Sequence, residues 1–173
     1  MTLRVGILGA GQVGARHAIG FSHARGASIA GIADLVEERA EAVASRYGGA
    51  VFTDYREMLE SGLDVLVVGL PHSLHTEPAE EAAARGIHIL MEKPLATTLP
   101  DAHRIISVCK DHGVKLGSGF VHRFRDEVAA ARQWMVDGLV GQAQVASAVM
   151  NGQRWAKLPG WVTKKEIAGG GVL

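Results

Sequence analysis

Cysteine is almost missing from this sequence. Cys109 stands alone among 173 residues, which excludes an internal disulfide and any cysteine-built zinc cage. An excess of either charge is missing too: Lys+Arg and Asp+Glu each number 18, for a net charge of 0. No basic surplus is present to hold phosphate backbones, so no nucleic-acid partner is expected. Apolar runs are short, as in Val65 to Leu70, against the roughly 20 residues of a membrane-spanning helix, and no membrane role is expected. The start, Met1-Thr2-Leu3-Arg4, runs into an apolar stretch broken by Gly6, Gly9, Gly11 and Gly14. A secretory signal would have an unbroken apolar core, so a cytoplasmic protein is expected. With 47% apolar and 21% charged residues, the composition is that of a folded chain and not a disordered one. Glycine, by contrast, is plentiful at 22 residues, which points to tight turns and close backbone approaches.

The first 120 residues alternate between two periodicities. Strand-like runs are expected at Leu3 to Leu8, Ala27 to Ala33, Ala50 to Thr53, Asp64 to Leu70, Ile87 to Met91 and Lys115 to Phe120. Between them lie helical stretches: Gln12 to Ala24, Leu35 to Tyr47, Asp54 to about Gly62, Leu74 to Arg85 and Thr98 to His112. Pro78 and Pro100 sit in first turns, and Gly86 and Gly113 follow the ends of their helices, in keeping with helix start and stop chemistry. The run DVLVVGL is apolar on both faces, as a parallel strand covered on both sides should be. The alternation implies an α/β fold with a doubly wound parallel sheet of Rossmann type over residues 1–120. The pattern changes after Phe120. One amphipathic helix (Arg125 to Val136) and one alternating strand (Gln142 to Asn151) are expected. Two such elements cannot bury a core of their own, so residues 121–173 read as the start of an incomplete, truncated α+β domain.

Gly9-Ala10-Gly11-Gln12-Val13-Gly14 spells G-x-G-x-x-G between the first strand and the first helix. In that setting the first glycine permits the turn, the second lets a pyrophosphate approach the backbone, and the third lets helix pack close on strand. The helix N-terminus adds free N–H groups and partial positive charge. Gly9, Gly11, Gln12, Val13 and Gly14 are therefore candidate dinucleotide contacts. Asp34 follows Gly14 by 20 residues (34 − 14) at the end of the second strand, where a carboxylate accepts ribose hydroxyls and repels a 2′-phosphate. NAD is therefore expected over NADP. Asp34-Leu35-Val36-Glu37 equally spells a capping box, and Arg39 is placed to reach a 2′-phosphate.

Two further segments lie at carboxyl ends of expected strands, where ligands bind in such sheets. Pro71-His72-Ser73-Leu74-His75 follows the fourth strand. Its two histidines have no third ligand at a convincing spacing, so no metal is expected. His75 is either a helix cap or a polar contact near the cofactor. Glu92-Lys93-Pro94 follows the fifth strand. A lysine there suits hydride transfer from an alcohol, because its ammonium can orient and polarise the reacting oxygen.

Together GAGQVG, Asp34, P-H-S-L-H, Glu92-Lys93-Pro94 and Val121-His122-Arg123-Phe124 resemble the glucose-fructose oxidoreductase / inositol dehydrogenase / rhizopine catabolism (Gfo/Idh/MocA) oxidoreductase family. The specific signal is E-K-P. The resemblance implies a Rossmann domain followed by a domain with a large, mostly antiparallel sheet, which often forms the interface of a homo-oligomer. It implies NAD(P)-dependent oxidation or reduction of a hydroxyl/carbonyl carbon, commonly on a sugar, cyclitol or related polyol. It carries Lys93 over as the catalytic lysine, and Gly9, Gly11, Gln12, Val13, Gly14, Asp34, His75 and Glu92 as cofactor contacts, with Pro71 and His72 on the same edge. Arg123 falls where the two domains would meet, as a site residue or a structural anchor. Trp161 falls where the second domain would approach the cofactor, or in a small core.

Ile167-Ala168-Gly169-Gly170-Gly171-Val172-Leu173 resembles the segment just before the family's D-x-G-x-H pattern, whose Asp and His complete the site with the lysine. No residue of this sequence takes those two roles. Two readings follow: an enzyme represented by its amino-terminal part, binding NAD weakly and turning over slowly or not at all, or a dinucleotide-binding module acting as a sensor or partner subunit. Lys93 favours the first, since a binding module has no use for E-K-P.

Overall fold

The computed structural model describes residues 1–147, 149 and 160–170. Among the described residues six strands form one sheet: β1 (Leu3–Leu8), β2 (Ala27–Ala33), β3 (Ala50–Phe52), β4 (Val65–Val68), β5 (His88–Met91) and β6 (Leu116–Ser118). The order is β3-β2-β1-β4-β5-β6, and every pairing is parallel. This is the Rossmann order, with its switch point between β1 and β4. The crossovers carry α1 (Gln12–His23), α2 (Glu37–Tyr47), α3 (Tyr55–Leu59), α4 (Thr76–Ala84) and α5 (Leu99–Asp111).

The strands are apolar on both sides because both faces are covered. Val5 and Ile7 of β1, Ile32 of β2 and Val67 of β4 pack with Ala18 of α1 and with Ala40 and Val43 of α2. The alternate residues Leu8, Ala33, Leu66 and Val68 join Met58, Ala79, Ala82, Ala83, Ile105 and Cys109 on the opposite face. The period of two along each strand thus divides one sequence run between two cores. Burial raises the pKa of the Cys109 thiol. Thr98 caps α5, its hydroxyl oxygen accepting the Asp101 N–H at 3.2 Å.

Chain contacts divide the protein into two units: residues 1–119 with 160–173, and residues 120–159. The segment from Gly160 onward therefore groups with the sheet and not, as the sequence pattern implies, with residues 121–159. In the second unit, Val121–Phe124 forms a 3₁₀ turn and α6 (Asp126–Val136) follows. Arg123 lies over the Phe120 ring at 5.9 Å, and α6 buries none of its side chains. Residues 142–147 and 149 form no strand; the rest of the expected strand, through Asn151, lies outside the described residues. Among the described residues no helix is long and apolar enough to cross a membrane.

Candidate cofactor site

The glycine loop leaves β1 and enters α1 at the switch point. Gly9 has φ +93°, and a Cβ there would lie 2.8 Å from the Gly69 carbonyl oxygen. A Cβ on Gly14 would overlap the Gly9 carbonyl. Both glycines are thus demanded by the fold. Gly11 differs. Its φ of −72° suits any residue, and a Cβ there would meet nothing within 4 Å. The protein's own packing does not require a glycine at position 11, whereas a ligand pressed on the loop would. Gly11 caps α1 without a side-chain hydrogen bond, and α1 carries no acidic residue in its first turn. The other described α-helices all carry one, Glu37, Glu57, Glu77, Asp101, Asp126 and Glu166 among them. The first turn of α1 therefore brings no acidic side chain of its own to the helix's positive end, beside exposed Gly11, Gln12 and Val13.

Asp34 stands at the end of β2. Its Oδ2 accepts the Ala10 N–H at 2.8 Å and its Oδ1 the Val36 N–H at 2.9 Å. The capping-box alternative does not form: α2 begins at Glu37, with Val36 as an N-cap lacking any side-chain bond. The carboxylate instead ties the glycine loop to the end of β2, and each oxygen keeps acceptor capacity for a ribose hydroxyl. Beside it opens a cleft of about 390 Å³, whose lining includes Asp34, Leu35, Arg39, Tyr55, Pro71 and Leu74. Tyr55 lies in no sequence motif, and Leu35 and Leu74 fall inside motifs whose signal comes from their polar neighbours. The tertiary fold alone brings them to this wall.

The two histidines after β4 face into the protein. His75 is wholly buried, with Nε2 3.0 Å from the Leu70 carbonyl and Nδ1 3.2 Å from the Leu95 carbonyl. It has no surface to offer a ligand and ties the loop after β4 to the loop after β5. Burial pushes its pKa down, against the pull of those carbonyls. His72 donates Nδ1–H to the Ala168 carbonyl at 2.9 Å, and its ring meets Trp161 edge-on at 4.8 Å. That contact docks the 3₁₀ turn Gly160–Thr163 and α7 (Lys165–Ala168). Of the segment Pro71 to His75, Pro71 and Leu74 line the cleft.

Glu92 and Lys93 leave the carboxyl end of β5. Glu92 Oε1 accepts Nε2–H of His17 at 3.0 Å, and Oε2 accepts the Lys93 N–H at 3.1 Å. The His17 bond, with help from Lys93, holds the Glu92 carboxyl below its usual range despite burial. Lys93 is exposed, and the Lys93–Pro94 bond is cis. His17 escaped the sequence reading: it lies 75 residues from Glu92, and only its position one turn after Gly14 hints at a place near the site. Among the described residues no group of three His, Cys, Asp or Glu side chains is gathered for a metal ion.

The glycine loop, the strand-end carboxylate and the lysine edge thus stand around one end of a Rossmann sheet. A model of the Gfo/Idh/MocA oxidoreductases, described as an oxidoreductase family with an NAD-binding Rossmann fold, matches residues 3–120. The chain belongs to this family. D-glucoside 3-dehydrogenase of Escherichia coli is 34% identical over 176 residues, covering 99% of this chain and 50% of the relative. Scyllo-inositol dehydrogenase from Lactobacillus casei, solved with NAD(H) and scyllo-inositol, superposes with a TM-score of 0.78 at 26% identity, over 82% of this chain and 43% of that one. A 3-ketoreductase from Actinomadura kijaniata, solved with NADP and TDP-benzene, gives 0.75 at 28% identity, over 82% and 44%. The chain spans about half the length of the curated relatives it matches.

Proposed function

We propose that this Gfo/Idh/MocA chain supplies the cofactor-binding part of an NAD(P)-dependent dehydrogenase acting on a hydroxyl/carbonyl carbon of a sugar, cyclitol or related polyol. The observation that carries the reading is Gly11, a glycine that the protein's packing does not need, at the uncapped end of a helix without acidic residues in its first turn. The residues present fit a dinucleotide. Backbone amides of Gly11 to Gly14 hold the pyrophosphate, Asp34 accepts ribose hydroxyls, and Leu35 and Pro71 wall the adenosine end. Bound NAD(P) supplies the hydride acceptor or donor. Lys93 orients the substrate oxygen and polarises it with its ammonium. Glu92 and His75 act indirectly by fixing the loops around that lysine. The Asp34 carboxylate favours NAD over NADP; Arg39 on the same wall is the residue that would relax that preference. The relatives above are named as dehydrogenases and a reductase, and none of those names supports the non-catalytic module. Homo-oligomer assembly of the full-length enzyme belongs to this proposal.

The test is chemical. The purified chain is titrated with NADH by nicotinamide fluorescence, and the acylation rate of the Lys93 amine is followed by mass spectrometry with and without NADH. Saturable binding that shields Lys93 is expected. A chain that binds no NADH, or binds it with Lys93 equally reactive, overturns the reading.

A further inference from the structure

Glu92 is held from three directions. From α1, His17 reaches across to Glu92 Oε1 at 3.0 Å, and the two side chains are only 17% and 13% exposed. From β4, the Val68 carbonyl accepts the Glu92 N–H at 3.0 Å. From the end of β6, Gly119 closes in: its N–H donates to the Met91 carbonyl at 2.8 Å, and a Cβ there would lie 3.0 Å from Glu92 Oε1 and 3.1 Å from Cδ. The remaining carboxylate oxygen takes the Lys93 N–H. A carboxylate accepts only, so each of these N–H groups donates. Charge-assisted bonds in a half-dry site are stronger than their exposed counterparts.

We infer that His17 and Gly119 are positioning residues for Lys93: together they lock the Glu92 carboxylate, which in turn fixes the lysine's backbone. The consequence is a mechanical link. His17 sits one turn beyond Gly14 on α1, the helix whose first turn cradles the pyrophosphate in the reading above, on which this inference rests. The separation between the phosphate cradle and Lys93 is therefore set by a side-chain bond between α1 and the end of β5, in addition to the sheet itself. Neutral His17 suffices, because the Nε2–H it needs is present in one neutral tautomer. Gly119 contributes space: a side chain at this position would crowd the Glu92 carboxylate and force it to shift by a few tenths of an ångström.

The test uses His17→Leu, His17→Gln and Gly119→Ala in the full chain, with two readouts: the hydrogen-exchange rate of the Lys93 amide by NMR, and NADH affinity by fluorescence. His17→Leu frees Glu92, and Lys93 amide exchange is expected to speed up about tenfold with NADH affinity falling by about the same factor. His17→Gln, which keeps an N–H at similar reach, is expected to restore most of both. Gly119→Ala is expected to move both readouts in the direction of His17→Leu while His17 is intact, and it decides the matter if His17→Leu does not fold. Unchanged Lys93 exchange in the folded leucine or alanine variant overturns the inference, as does failure of glutamine to rescue. Absence of NADH binding by the unsubstituted chain instead overturns the proposed function, and the exchange readout still judges the His17–Glu92 brace.

Discussion

Alanine at Gly11 and alanine at Gly14 add the same methyl group three residues apart, and the structure assigns them opposite consequences. At Gly14 the new Cβ overlaps the Gly9 carbonyl. That carbonyl cannot withdraw easily, because Gly9 is itself at φ +93° and packed against Gly69. Overpacking of this kind costs about 1–3 kcal/mol, and alanine's better helix propensity returns about 1 kcal/mol. With so direct an overlap the upper part of that range applies, leaving a net loss of about 2 kcal/mol, or about 4–8 °C in Tm for a chain of this size. At Gly11 the Cβ meets nothing. Alanine is a poorer N-cap than glycine, but it also narrows the unfolded ensemble by about 0.4–1 kcal/mol, so stability stays within about 0.5 kcal/mol. The methyl does stand where the pyrophosphate would press on the loop, and NADH affinity is expected to fall about 100-fold, equivalent to roughly 2.7 kcal/mol. Thermal melts and fluorescence titrations of the two variants measure both quantities. A stable Gly11→Ala variant that binds NADH like the unsubstituted chain would refute the placement of a phosphate on this loop.

Three further outcomes follow from the same geometry. Asp34→Ala removes the acceptors of the Ala10 and Val36 N–H groups; a loss of about 2 kcal/mol is expected in urea melts, and the NADH-over-NADPH affinity ratio should drop about 30-fold, since a repelling charge is lost. An unchanged ratio removes Asp34 from the ribose site. Burial lowers the pKa of His75, so the unfolded chain takes up a proton near pH 6.5 that the folded ring refuses. Stability from this group is complete above that pH and declines as pH falls toward the folded pKa, by at most about 1.4 kcal/mol per pH unit. His75→Gln should flatten that slope, and an unaltered slope would show that His75 does not titrate this way. His72→Ala should raise amide exchange in α7 and around Gly169, because it deletes the bond to the Ala168 carbonyl and the ring against Trp161; protection equal to that of the unsubstituted chain would show that His72 is not the dock.

Much was legible before folding because it is local. Apolar runs with period two, glycines at φ-demanding turns and proline in first helical turns act within a few residues, and the six strands and five crossover helices lie where those signals place them, with ends trimmed by up to three residues. The trimming has causes. The expected helix at Leu35 starts later, at Glu37, because Asp34 spends both carboxylate oxygens on turn amides. Gly9, Gly14 and Asp34 could be read from spacing, since the strand-turn-helix itself sets their separation. His72 and His75 could not: a histidine four or seven residues beyond a strand offers no sign of which way its ring turns. Here the rings turn inward, one to carbonyls of two loops and one to Ala168.

By itself the sequence determined the α/β alternation, the glycine loop, the strand-end acid and the E-K-P edge, all of which act through neighbours in the chain. Only the tertiary structure decided that His17, Glu92 and Gly119 meet, that residues 160–170 return to the first unit, and that Leu35, Tyr55 and Pro71 share a wall. Those contacts join residues tens of positions apart, and their geometry exists only once the parallel sheet has brought the strand ends side by side.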